Sequence, residues 1–176
     1  MNYTKHKIIR IKELDRQEID TTVRNTQPSG IYELLFQHGS LNFLPGSQVR
    51  AMNLDTPLFV ASGIKEPWTR LIIEDTQVPR STWAQAIKIR EVINLYPDLI
   101  NDKDPAFYVG GDGIALPLSY ISTFPDRKPE IVYLGPAISL EFLSKRSRLK
   151  RTREEITGDR IYYCRDGVKR YGQEIR

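Results

Sequence analysis

Phe107-Tyr108-Val109-Gly110-Gly111-Asp112-Gly113 is the stretch on which the fold turns. Consecutive glycines behind an apolar run permit two uses. Their bare backbone amides can approach an anion such as a phosphate closely. Alternatively they supply a turn between two secondary elements. The second use is the commoner one, and a glycine turn is the expectation here.

Upstream of that turn the apolar residues recur at a period of two. Gln48 to Met52, Leu58 to Ala61, Thr69 to Glu74 and Ala84 to Arg90 each read as strands. The last suits a helix running to Leu95 equally well. Earlier, Ile31 to Phe36 reads as a short helix that Ser29 could cap and Gly39 would stop, and Ile11 to Val23 as a helix or an extended arm. Downstream, Asn101-Asp102-Lys103-Asp104-Pro105 reads as a loop and Glu130 to Leu134 as a β-branched strand. Ile161 to Arg165, Asp166-Gly167 and Val168 to Tyr171 form a predicted hairpin, because an Asp-Gly pair supplies the positive φ angles of a tight turn. Many strands with few helices predict an α+β fold: an antiparallel β-sheet with a few helices packed on one face.

The 176 residues suit a single domain over residues 1–176, with an N-terminal arm or helix over 1–27 and a basic strand and hairpin over 145–176. Hydrophobic content of 40% and charged content of 27% are ordinary for a globular chain. No apolar run approaches the roughly 20 residues that a membrane-spanning helix needs. The basic, amphipathic start lacks the apolar stretch of a signal peptide, so a cytoplasmic or plastid-stromal location is expected. One cysteine, Cys164, and two histidines argue against disulfides and a metal site.

The net charge of +4 is unevenly spread: Lys145 to Arg176 holds eleven Lys or Arg against five Asp or Glu. Within the run Lys145 to Arg153, strand geometry would put Arg146, Arg148 and Lys150 on one face. Such a face suits a solvated edge, a nucleic acid, or a carboxylate held by forked guanidinium groups. No aromatic interrupts the run, which weakens the nucleic-acid reading. Glu74-Asp75, Glu154-Glu155 and Asp159 default to solvated surface, and His38 to a loop or cap. The Gly-Gly-Asp-Gly string resembles the loop of NAD and diacylglycerol kinases, but Ile114 stands where those carry a small polar residue.

Five segments in order resemble the chorismate lyase family: Leu34 to Leu44, Trp68 to Ile73, Thr82 to Ile89, Gly113 to Ile121, and Glu130 to Gly135 followed by Lys145 to Leu149. The resemblance implies a cofactor-free carbon–oxygen lyase that splits chorismate into 4-hydroxybenzoate and pyruvate, for quinone biosynthesis. It places the catalytic arginine at Arg70, a backbone ligand at Leu118 and a further binding cation at Arg146. The family's catalytic glutamate has no clean counterpart, so Asp159 or Glu155 would have to supply the acid. Chemically the implied enzyme is a positioning device: it desolvates a dianion, holds its carboxylate and protonates the departing ether. Two alternatives are a non-catalytic aromatic-acid-binding relative and a nucleic-acid- or complex-binding protein using the basic C-terminal surface.

Overall fold

The computed structural model describes residues 2–16, 30–37, 43–52, 57–64, 66–74, 86–134, 140–164 and 172–175. Six strands come first: β1 (Thr4–Arg16), β2 (Gly30–Gln37), β3 (Ser47–Ala51), β4 (Leu58–Val60), β5 (Trp68–Glu74) and β6 (Ala86–Asn94). They close into an antiparallel barrel in the order β1-β2-β5-β4-β3-β6. Alternation decides what fills it. Tyr32, Leu34 and Phe36 of β2, Leu71 and Ile73 of β5, and Ile87 and Ile89 of β6 are buried in one cluster with Val49 and Leu58.

The remaining chain builds a second sheet. A 3-10 turn (Pro97–Asn101) leads into β7 (Ala106–Gly110), and a second 3-10 turn (Gly111–Ile114) runs into α1 (Ala115–Thr123). Then follow β8 (Glu130–Leu134), α2 (Leu140–Arg146), β9 (Arg148–Lys150), β10 (Arg160–Cys164) and β11 (Gly172–Ile175). The order is β11-β10-β7-β8-β9. β7 pairs in parallel with β8 and β10, β8 in parallel with β9, and only β11 runs antiparallel. Helices between parallel strands are the expected crossovers. A shared core joins the two sheets, because Phe59, Ala61 and Ile72 of the barrel pack in one cluster with Phe107, Leu116, Tyr120 and Tyr162.

An antiparallel sheet with helices on one face is therefore corrected to a closed antiparallel barrel beside a mostly parallel sheet. Strand positions within the barrel agree closely with the period-two segments, and β6 resolves the ambiguity at Ala84 to Leu95 as a strand over Ala86–Asn94. Ile31 to Phe36 is a strand and not a helix: Leu34 and Phe36 face the barrel core while Leu35 lies on the other side. Residues 11–16 of the proposed arm belong to β1. Residues 17–27 of that arm lie outside the described residues, as do Ser29, Gly39, His38 and the Asp166-Gly167 turn. The basic run does not form one strand face either. Arg146 ends α2, and β9 takes only Arg148 to Lys150.

Glu130, fully buried at the start of β8, fastens the loop before β10. Its carboxylate accepts from the Thr157 amide (2.8 Å), the Thr157 hydroxyl (2.5 Å) and the Gly158 amide (3.0 Å), with Arg148 Nη1 at 3.7 Å. Burial alone would raise its pKa. The hydrogen bonds from Thr157 and Gly158, with the Arg148 charge, outweigh burial and hold it below the ordinary carboxylate value. A pKa lower in the folded than in the unfolded chain stabilises above the unfolded value and is lost as the pH falls. Thermal melts on the acid side should therefore show stability falling with pH, and Glu130→Gln should flatten that slope while lowering stability at neutral pH. An unchanged acid slope in the variant would refute this role.

No helix among the described residues is long and apolar enough to cross a membrane.

Candidate functional site

The chain runs β7, β8, β9 outward in one direction, then returns to place β10 on the opposite side of β7. In open sheets with helical crossovers, ligands sit outside the carboxyl ends of the strands where the order reverses. Here that point lies between the ends of β7 and β10, and Gly110-Gly111-Asp112-Gly113 is the turn that leaves β7 there.

Each glycine in the turn has a physical reason. Gly111 adopts φ +55°, the left-handed region that side chains disfavour. A Cβ on Gly113 would meet the Cys164 carbonyl oxygen at 2.2 Å, and one on Gly110 would meet the Leu134 oxygen at 3.0 Å. The turn is thus pressed against the ends of β10 and β8, which brings the start of α1 to the reversal point. Ile114, at the helix start, makes no side-chain cap, and Pro117 in the first turn has no amide to satisfy. Tyr96 ties the barrel to this edge, its hydroxyl donating to the Tyr163 carbonyl at 2.9 Å.

Two features modify a simple phosphate cradle. Asp112 puts a carboxylate into the turn, although the residue is only 5% exposed. Gly110 to Ile114 are buried throughout. Asp112 also shows why the turn was legible only as a turn: a carboxylate argues locally against an anion, whereas the strand order that makes the position special is non-local.

The sequence-predicted residues fall elsewhere. Arg70 on β5 is clamped where the barrel meets α1. Its Nε and Nη2 donate to Glu66 (3.2 and 2.8 Å), and Nη2 also reaches Ser122 Oγ (2.8 Å) and the Ala61 carbonyl (3.3 Å). Glu33 lies 3.9 Å from Nη1 and also receives Arg10 at 3.4 Å. Around the clamp Ser119 Oγ donates to the Ser62 carbonyl, and a Cβ on Gly63 would meet the Ser122 backbone at 2.6 Å. Leu118 sits in the first turn of α1, inside the shared core. Arg146 Nη2 donates to the Ile121 carbonyl at 3.4 Å. Asp159 and Glu155 are exposed on the segment before β10, where Glu155 accepts from the Arg151 amide. No hydrogen bond or ion pair among the described residues joins Arg70 to either acid.

Neither a protein-family model nor a curated protein matches the sequence. Solved structures do. The H286L mutant of ferredoxin-NADP+ reductase from Plasmodium falciparum with 2'P-AMP superposes with TM-score 0.60 at 16% identity, covering 94% of this chain and 74% of that one. The unmutated reductase from the same organism gives 0.56 at 16% identity, over 92% and 70%. A ferredoxin reductase of carbazole 1,9a-dioxygenase, in FAD apo form, gives 0.51 at 12% identity, over 92% and 59%. The fold is ferredoxin-reductase-like.

That likeness corrects the chorismate lyase resemblance and the lyase activity, quinone pathway and aromatic-carboxylate partner that came with it. The described parts of the five matching segments fall on strands, turns and helices of two different sheets. Trp68 to Ile73 is barrel, Glu130 to Leu134 is parallel sheet, and Gly113 to Ile121 is a turn and buried helix. Short alternating apolar runs recur in any β protein, so their order carried no information about closure. The two alternative readings, an aromatic-acid binder and a nucleic-acid binder on the C-terminal surface, gain nothing from the likeness.

Proposed function

We propose that this chain is a nicotinamide-dinucleotide-binding module of reductase type, with the dinucleotide phosphates at the turn between β7 and α1. The observation that carries the reading is the Gly110 to Gly113 turn at the reversal of strand order, pressed against the end of β10. Three structures that share the fold are reductases, and one of them is described with 2'P-AMP. The shared core supports treating barrel and sheet as one unit.

The residues present fit the dinucleotide through backbone. Gly111-Asp112-Gly113 supplies the tight turn and the close strand-to-helix packing, so any amide offered to an anion belongs to this 3-10 turn, the Ala115 amide of α1 already donating to the Asp112 and Gly113 carbonyls. A bound nicotinamide would supply hydride chemistry; the chain's part is to orient the ligand on the sheet edge. On the described barrel face against α1, the Arg70 guanidinium donates to Glu66, Ser122 Oγ and the Ala61 carbonyl.

Calorimetric titrations with NADP+, 2'-phospho-AMP and FAD in separate arms test the reading. Saturable binding of NADP+, with competition by 2'-phospho-AMP, is expected. Asp112→Asn should tighten it by about tenfold, because a like charge near the phosphates is removed. Absence of binding by any nucleotide in a chain that melts cooperatively would overturn the proposal.

A further inference from the structure

The barrel carries a second feature, independent of the nucleotide reading. β1 presents Lys5, Lys7, Arg10 and Lys12 to solvent, and β6 beside it adds Lys88 and Arg90. Register places Lys5 directly opposite Lys88. Like charges facing across strands destabilise a sheet, so this pair is kept at a cost. Lys88 Nζ sits 5.1 Å from the Tyr3 ring centroid. Two nearby acids are engaged: Glu33 receives Arg10 and is nearly buried, and Glu91 bridges Arg50 at 3.7 Å. Among the described residues, Lys5, Lys7, Lys12 and Arg90 take part in no ion pair.

Apolar side chains stand among these cations. Tyr3 is 46% exposed and Ile9 54%. In a six-stranded barrel ordered β1-β2-β5-β4-β3-β6, β1 lies across from β4, the strand on which α1 packs. The cationic strip therefore faces away from the parallel sheet and its turn.

We infer that the Lys5 to Lys12 face of β1, with Lys88 and Arg90 of β6, is a docking surface for an anionic lipid bilayer. Charge complementarity selects a polyanionic surface, and the exposed Ile9 side chain selects lipid among such surfaces. Isoleucine cannot stack on a base, whereas it partitions into the interfacial region of a membrane. Several lysines together supply the electrostatic part, and Ile9 with Tyr3 adds the apolar part.

Co-sedimentation of the full chain with vesicles tests this. Binding is expected to phosphatidylcholine vesicles containing phosphatidylserine, to be lost with phosphatidylcholine alone, and to weaken steeply with salt. Lys5→Gln and Lys7→Gln should each weaken binding about fivefold. Ile9→Ser should weaken it while leaving the salt dependence intact. All three positions are exposed, and unchanged melting of the variants separates lost binding from lost folding. Three results would overturn the inference: equal binding to neutral vesicles, no effect of the lysine variants, or tight binding to a single-stranded oligonucleotide that Ile9→Ser leaves untouched. The last would assign the strip to nucleic acid.

Discussion

Replacing Gly113 by alanine is expected to unfold the parallel sheet or to leave a chain that no longer accumulates in soluble form. The new Cβ would lie 2.2 Å from the Cys164 carbonyl oxygen and 2.8 Å from its carbon, both backbone atoms of β10. Neither can swing aside as a side-chain end could. Relief requires β10 to separate from the turn, and β10 is bonded through four register pairs to β7. Overpacking of this kind typically costs about 1–3 kcal/mol, and more where rigid backbone is the obstacle. Alanine at Gly111 sits at φ +55° and costs the strain of a left-handed residue, about 1 kcal/mol. Thermal melts of both variants should therefore rank Gly113→Ala well below Gly111→Ala. A Gly113→Ala protein as stable as the parent would mean that the turn does not press on β10, and the site geometry would fall with it.

Arg70→Met should loosen the barrel from α1. Methionine preserves most of the aliphatic stem while removing the donors that hold Glu66, Ser122 Oγ and the Ala61 carbonyl. Glu33, whose side chain is 8% exposed, would keep only Arg10 at 3.4 Å. A partly orphaned buried carboxylate and an unsatisfied carbonyl together make a loss of about 2–3 kcal/mol the expected outcome. Glu66 is more exposed, and Glu66→Gln should cost less than 1 kcal/mol because solvent screens its charge. Chemical denaturation of the two variants checks the ranking. If Arg70→Met melted like the parent while losing ligand binding, Arg70 would be a ligand-contacting residue and the clamp reading would be wrong.

These contrasts show which parts of the fold the sequence encodes locally. Strand positions were legible because Val49 stands between Gln48 and Arg50, and Ile87 and Ile89 flank Lys88, at the period a strand requires. Closure of the barrel was not, since a closed and an open antiparallel sheet share that period and differ only in the pairing of β1 with β6. The parallel sheet was hidden for a related reason. Glu130 to Leu134 reads as a β-branched strand either way, and its direction depends on the crossover through α1, a helix buried along most of its length and so without an amphipathic stripe. Ile31 to Phe36 failed differently, because its Leu34-Leu35-Phe36 run fits a helix as well as a strand until neighbours are known. At the site, the string of glycines was visible but its meaning came from strand order. Arg70 was named in the sequence only through the family resemblance, and the structure gives it partners that the sequence could not place beside it: Ser122, 52 residues further on, and Glu33 across the sheet.

The central claim, a dinucleotide site at the turn between β7 and α1, is tested most directly by mapping bound ligand onto the chain. Amide resonances of the isotopically labelled protein should be followed by NMR as NADP+ is added. Saturable shifts are expected at Gly110 to Ala115 and at Tyr163 and Cys164, with β1 unmoved. Shifts confined to the barrel, or no shifts at saturating nucleotide, would contradict it.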